Sequence, residues 1–236
     1  MKRLMIERTI VTILLFAGVC CAQQPSSVSD TSSNVVKQFV RDELNIWSSP
    51  AHLHRRDAPW LGAFAAGSVV LFKTDRSISR DVARSPGLKR PSHIVSSMGG
   101  GIAMFAAPAA ILTVGKISHS PEISDTGGLT LRAVAHATVI AQALKQIAGR
   151  ERPTTGTGLG RFRRGGSSFP SGHAMSSWAF ATVIASRSQN KWVKVGSYSF
   201  AAAVGMSRIG GRNHFPSDVL AGSAGGFLIG RYIAHH

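Results

Sequence analysis

Cysteines and acidic residues are scarce in this sequence. Its 236 residues hold 11 Asp and Glu against 27 Lys and Arg, a formal net charge of +16 and a pI near 11.3. Both cysteines, Cys20 and Cys21, fall within the first 22 residues. If that stretch is removed, disulfides, thiol catalysis and thiolate metal sites are excluded. Aromatic residues make up only 7%, with no run of stacking side chains interleaved with Arg. The basic residues are spread over many loops, which disfavours nucleic acid as a partner and leaves an anionic membrane surface or a small anion. No segment alternates apolar and polar residues as a strand would, and no internal repeat is present. Long hydrophobic runs are also scarce. The apolar stretches are mostly shorter than the roughly 20 residues needed to cross a bilayer, and the mean hydropathy is only +0.09.

What is present begins with an export signal. Lys2 and Arg3 precede an apolar run from Ile10 to Val19 and small residues up to Ala22, so residues 1–22 read as a signal peptide with cleavage after Ala22. Glu7 and Arg8 interrupt its start and leave an uncleaved anchor as the alternative. A lipid-anchored cysteine is disfavoured, since Val19 and Cys20 stand where Gly or Ala would be needed. Residues 23–57 read as a linker with a short amphipathic segment: Gln23 to Asn34 is Ser-, Gln- and Thr-rich, and Val35 to Trp47 has a helical pattern ended by Ser48-Ser49-Pro50. His52 to Arg56 is basic and histidine-bearing, but lacks the ligand set of a metal site.

Residues 58–236 form the main domain, and its pattern predicts an all-α antiparallel bundle of about six helices at 58–73, 95–116, 129–148, 172–188, 191–209 and 216–234. Ser85-Pro86-Gly87, Ser120-Pro121, Gly127-Gly128, Pro153 to Gly166 and Gly210-Gly211 punctuate them. Met98 to Val114 is the best candidate for a membrane span. With short connections and alternating helix directions, Lys145 closes one helix and Ser171-Gly172-His173 opens the next. Arg208 then closes the following helix and Asp218 opens the last. All four fall at one end of the bundle.

That end carries the chemistry. Thirteen Lys and Arg lie between Thr130 and His236 against two acids, Glu151 and Asp218, so a carboxylate four residues after His214 stands out. Pro216 suits the first turn of a helix, which sets the imidazole and the carboxylate on one face. Asp218 can then hold one ring nitrogen of His214 and leave the other free to attack. An equally simple reading makes Asp218 a helix cap. Lys145, Arg152 and Arg208 supply cations for the non-bridging oxygens of a phosphoryl group, the arginines as planar forks and the lysine as a point charge. Ser171 and Gly172, at a helix start, offer a hydroxyl and free backbone N–H groups.

Lys145, six residues, Arg152-Pro153; then Phe169-Pro170-Ser171-Gly172-His173; then Ser207-Arg208, five residues, His214, three residues, Asp218: this order resembles the three-part signature of the type 2 phosphatidic acid phosphatase (PAP2) superfamily. That superfamily also includes bacterial nonspecific acid phosphatases and vanadium haloperoxidases. The resemblance implies a hydrolase of phosphate monoesters, lipid phosphates or lipid diphosphates. His214 would be the nucleophile that is transiently phosphorylated and Asp218 would fix its tautomer. His173 would protonate the leaving oxygen and then activate water; Lys145, Arg152, Ser171, Gly172 and Arg208 would hold the phosphate. No cofactor or metal is implied, and vanadate would inhibit. The alternatives are a haloperoxidase using vanadate as cofactor and a non-catalytic phosphate- or lipid-binding protein.

Further expectations attach to neighbouring residues. Arg150, Arg161, Arg163, Arg164 and Arg212 crowd the same end and could recruit anionic substrate or a second phosphate. Glu151 is expected to pair with nearby arginines, and His136 to be a packed polar residue. Six crossings from an exported N-terminus would leave the motif end in the cytoplasm, where an exported phosphatase would not work. An exported globular domain in the periplasm or another extracytoplasmic space, soluble or membrane-associated, resolves the conflict; an integral multi-pass protein is the alternative. The substrate's exact structure and the oligomeric state are not encoded legibly.

Overall fold

The computed structural model describes residues 28–48 and 58–236, so the signal peptide and the His52–Arg56 stretch lie outside the described residues. The chain divides into two units, Met1–His52 and Leu53–His236. In the first, α1 runs from Val28 to Ser48. It starts earlier than the predicted Val35, taking in a Ser- and Thr-rich segment read as linker. Helix propagation into polar residues adds one backbone bond per residue once a nucleus exists, and Trp47 Nε1 donates to Glu43 Oε2 one turn back (3.1 Å).

The second unit contains α2 (Ala58–Ala83), a 3₁₀ turn (Pro86–Leu88), α3 (Lys89–Met98), α4 (Gly101–Ile117), α5 (Pro121–Ala148), α6 (Gly172–Arg187), α7 (Lys191–Gly210) and α8 (Pro216–His235). No strand occurs among the described residues. Helix α6 is the hub, with α5, α7 and α8 packed around it. Accordingly it is buried nearly all round, through Ala174, Met175, Ser177, Ala179, Ala181, Thr182, Val183 and Ala185. Small side chains let the helices approach closely. A Cβ added at Gly222, Gly226 or Gly230 of α8 would lie 2.5, 2.1 or 2.6 Å from the Ser171, Met175 or Ala179 carbonyl oxygen of α6 or its cap. The four-residue spacing of these glycines is one stripe on a helix, and the stripe is the α6–α8 contact.

Three predicted boundaries are corrected. Gly127-Gly128 does not break α5; a Cβ at Gly127 would lie 2.3 Å from Leu112 N, so the glycine serves a close crossing with α4. The predicted 95–116 helix is split at Gly99-Gly100, where Gly99 packs on α7 and a Cβ would meet Val204 Cγ1 at 2.2 Å. This break interrupts the Met98–Val114 span candidate: among the described residues no single helix is long and apolar enough to cross a membrane, and only α3 with α4 passes together, bent by 41°. Finally, α2 continues ten residues past Lys73, because its buried positions there are the polar Asp75 and Ser79 rather than an apolar stripe.

The ends that carry the motifs are capped. The left-handed Gly149 (φ 52°) terminates α5, its N–H donating to the Lys145 carbonyl, as a C-terminal glycine does. Ser171 Oγ accepts from Ala174 N (3.4 Å) at the start of α6. Pro216 opens α8, and Asp218 Oδ2 accepts the Phe215 N–H (2.9 Å).

Candidate active site

The end of α5, the start of α6, the end of α7 and the start of α8 meet, as the alternation of helix directions requires. Lys145 leaves the last turn of α5, and its Nζ lies 3.3 Å from where a Cβ on Gly172 would sit. A side chain at 172 would therefore press on the ammonium. Burial, then the charges of Arg152 and Arg208, lower the Lys145 pKa to about 8, with Asp218 pulling the other way. Arg208 is buried at the end of α7, its Nη1 hydrogen-bonded to Ser96 Oγ on α3. Burial first, then Arg152, lowers its pKa to about 10. The Nε atoms of Arg152 and Arg208 are buried without a hydrogen-bond partner. Two buried guanidinium donors left unmet beside a desolvated ammonium are costly unless an anion completes them.

His173, in the first turn of α6, faces this cluster. Its Nε2 stands 3.9 Å from a notional Cβ on Gly100. Burial is the largest cause of its pKa falling to about 3, followed by the charges of Arg208, His214, Lys145 and Arg152. A phosphate in the cluster would oppose those charges and raise it again.

His214 sits in the loop between α7 and α8, 2% exposed. Its Nδ1 is 2.6 Å from the Ser168 carbonyl oxygen and 3.8 Å from Asp218 Oδ2. This refines the expected arrangement. A carbonyl oxygen can only accept, so Ser168 fixes the proton on Nδ1, and Asp218 contributes charge at longer range. Nε2 keeps its lone pair. Burial lowers the His214 pKa to about 4 despite Asp218, so the ring is neutral at pH 7.

Asp218 is fully buried. Oδ1 accepts from Arg150 Nη1 (2.5 Å); Oδ2 accepts from Ser168 Oγ (2.6 Å) and Phe215 N. Burial acts to raise its pKa, but His214, Arg150 and Ser168 together hold it below the usual carboxylate value. The cap and the charge partner are thus one carboxylate.

Sequence reasoning misplaced one residue. Arg150 is 3% exposed and spent on Asp218, Asp75, Ser217 and the Gly160 carbonyl, so it is not free to recruit substrate. Glu151 accepts from Thr157 Oγ1 (2.8 Å) and from the Arg161 backbone N–H (3.3 Å), so the expected local arginine partner is met through its main chain and its charge. Arg161, Arg163 and Arg164 are exposed; Arg212 reaches the Pro153 carbonyl (3.4 Å). His136 is buried within α5, as expected of a packed residue. Asp75, Ser96 and Ser168 were missed. The only signal for Asp75 was a lone acid between Lys73 and Arg76, and a main-chain acceptor such as the Ser168 carbonyl leaves none. A cleft of about 440 Å³ lined by Phe72, Lys73, Asp75, Arg76, Arg150 and Arg161, among others, is separate: none of Lys145, Arg152, His173, Arg208 or His214 lines it. Among the described residues no three His, Cys, Asp or Glu gather as metal ligands would.

Residues 128–236 match the family model described as PAP2 superfamily. A lipid A 1-phosphatase of Porphyromonas gingivalis is 41% identical over 77 residues, 30% of this chain and 17% of that protein. The chain thus matches only about a sixth of that relative's length. Two solved structures share the fold. The transmembrane PAP2-type phosphatidylglycerolphosphate phosphatase of Bacillus subtilis has a TM-score of 0.57 at 21% identity, covering 72% of this chain and 92% of that one. LpxE of Aquifex aeolicus has a TM-score of 0.54 at 24% identity, covering 70% and 94%.

Proposed function

We propose that this chain, whose residues 128–236 match the PAP2 superfamily model, is a phosphatase that removes phosphate from a lipid phosphate or diphosphate through a phosphohistidine, without a metal ion. Three arginine Nε donors are buried without a partner, those of Arg152, Arg208 and Arg212; the observation that carries this reading is that two of them, Arg152 and Arg208, gather with Lys145 around the two histidines. Lys145, Arg152 and Arg208 neutralise the non-bridging oxygens in place of a metal, with Ser171 and the Gly172 backbone at the α6 N-terminus. His214 Nε2 attacks phosphorus in line as the bond to the leaving oxygen breaks, and His173 gives that oxygen its proton. His173 then takes a proton from water. The resulting hydroxide attacks phosphorus, the P–N bond breaks, and inorganic phosphate leaves with His214 neutral again.

A lipid rather than a soluble ester is supported by two things. The matched segment of the relative belongs to a lipid A 1-phosphatase, and exposed apolar side chains flank the cradle. Met98 and Ile102 (53% and 90% exposed) bracket Gly100 beside His173 in the chain. Export to an extracytoplasmic space, with the domain against a membrane surface, fits both the sequence and this rim.

The test is phosphate release by the chain lacking residues 1–22 from a phosphatidate, a polyprenyl diphosphate and a chromogenic monoester, with chelator present. Release should survive chelation, stop with vanadate and fall by several orders of magnitude in His214→Ala. No release from folded protein would overturn the reading; bromide oxidation with added vanadate would then separate a haloperoxidase from a binding protein.

A further inference from the structure

Arg150 lies two residues before Arg152 yet belongs to a different network. Its Nη2 donates to Asp75 Oδ2 (2.7 Å), its Nη1 to Asp218 Oδ1 (2.5 Å) and Ser217 Oγ (2.7 Å), and its Nε to the Gly160 carbonyl (3.1 Å). The rings of Phe72, Phe162 and Phe215 surround the guanidinium at 5.1, 5.0 and 4.5 Å. Asp75 also grips the first turn of α8 directly, accepting the Ser217 N–H (3.0 Å) and Oγ–H (2.5 Å). Asp75 and Phe72 come from α2, outside the residues matched by the family model.

We propose that Arg150 and Asp75 are positioning residues for His214. Together they clamp the Asp218 carboxylate and the start of α8, so that α2 completes the catalytic site. The inference rests on the phosphohistidine reading above. Arg150 fixes Oδ1 of Asp218 while Ser168 and the Phe215 N–H fix Oδ2, which sets the plane of the carboxylate at both oxygens. Asp75 divides the guanidinium between two acids and anchors Ser217, three residues after His214. Neither residue is bonded within the cation cradle, so phosphate binding is left to Lys145, Arg152 and Arg208.

The two residues predict different signatures. The charged groups facing Asp218 are Arg150 from the α5–α6 loop, His214 from the α7–α8 loop and Lys145 from α5, with Asp75 of α2 across Arg150; Ser168 and Ser217 are neutral. Removing the Arg150 charge raises the Asp218 carboxyl pKa, so activity that needs the carboxylate falls off at a higher pH. Removing the Asp75 charge leaves Arg150 to Asp218 alone and does not move that limb upward; only alignment is lost.

The experiment compares wild type with Asp75→Asn, Arg150→Met and Arg150→Lys in the chain lacking residues 1–22, each checked for folding by thermal unfolding. kcat, KM and vanadate inhibition are measured across pH, and the His214 ring is followed by ¹⁵N NMR. We expect kcat to fall about 10- to 100-fold in Asp75→Asn and Arg150→Met, the scale for partners that orient a reactive group, with KM and vanadate inhibition within about threefold of wild type. The acid limb moves up in Arg150→Met, stays in Asp75→Asn and returns toward wild type in Arg150→Lys. NMR should show the Nδ1–H tautomer in wild type and, because the Ser168 carbonyl holds it, in Arg150→Met as well, with the titration of the His214 ring moved to higher pH in Arg150→Met. If kcat stays within about twofold, if KM and vanadate inhibition weaken as much as kcat, or if the Arg150→Met limb does not move, the proposal fails. If wild type turns over none of the substrates, the phosphatase reading fails, and the NMR comparison alone decides whether Arg150 and Asp75 position His214. Where Arg150→Met does not fold, Arg150→Lys and Asp75→Asn carry the same decision.

Discussion

Replacing Lys145 with Met should stabilise the protein while abolishing turnover. The ammonium is held, half-buried, among Arg152 and Arg208, and its pKa drops from 10.5 to about 8. Keeping it charged at pH 7 therefore costs the folded state about 3 kcal/mol at 1.36 kcal/mol per pH unit. Solvent screening of a half-buried group reduces the recoverable part to on the order of 1–2 kcal/mol. Methionine keeps the apolar stem and removes the charge. For a domain of this size each kcal/mol is worth about 2–4 °C, so scanning calorimetry at pH 7 in phosphate-free buffer should show Tm higher by about 2–8 °C. The sign has a second consequence. A lysine with a depressed pKa is penalised below that pKa and relieved as pH rises from about 8 toward 10.5, where the unfolded chain binds the extra proton. Wild type should gain stability over that window and Lys145→Met should not. Added phosphate should raise the wild-type Tm more than the variant's. A variant Tm equal to or below that of wild type in phosphate-free buffer would refute the claim that burial and the two neighbouring arginines penalise the charged ammonium in the folded protein.

Three other outcomes follow from the geometry. With a nucleophile that must be unprotonated at a pKa of about 4, kcat/KM should fall below about pH 4 in initial-rate assays; with a lysine that must be charged at about 8, the binding of inorganic phosphate, which needs no proton from His173, should weaken above about pH 8, and Lys145→Arg should push that alkaline limb upward. Ser168→Ala removes the 2.6 Å hydrogen bond to Asp218 and should cost about 1.5–3 kcal/mol of stability by urea titration; because His214 is held by the Ser168 main chain, its kcat should fall less than that of Asp218→Ala. Gly226→Ala places a Cβ 2.1 Å from the Met175 carbonyl and should destabilise by about 1–3 kcal/mol, whereas Gly128→Ala, with nothing within 4 Å, should stabilise by about 0.5–1 kcal/mol; equal urea midpoints for the two would contradict the packing.

The parts of this molecule that could be read from sequence are those in which residue type and backbone role coincide. Gly149, Ser171, Asn190 and Pro216 are helix-end residues by chemistry and stand at or beside helix ends. The convergence of Lys145, His173, Arg208 and Asp218 followed from helix direction alone. The failures come where a residue serves another element instead of its own. Gly127 looks like a break and is a contact with Leu112 of α4. Helix α2 exposes Val69, Val70 and Phe72 and buries Asp75 and Ser79, so a search for an apolar stripe ends it too early. The buried Asp75 is explained by Arg150 and Ser217, 75 and 142 residues away.

The same distinction resolves the two readings of Asp218. A cap at the third position of a helix and an anion beside a histidine look like alternatives in the sequence, one structural and one functional. In the structure one oxygen, Oδ2, takes the Phe215 N–H and the Ser168 hydroxyl and stands 3.8 Å from His214 Nδ1. Capping fixes the carboxylate relative to α8; Ser168 joins it to the strip of backbone whose carbonyl holds the imidazole; Arg150 joins it to α2. A carboxylate free to rotate would have to be ordered whenever charge develops on His214. One already committed to the start of a helix is ordered when the protein folds, so its cost is met before substrate arrives. The cap is therefore the means by which Asp218 is held where the chemistry needs it.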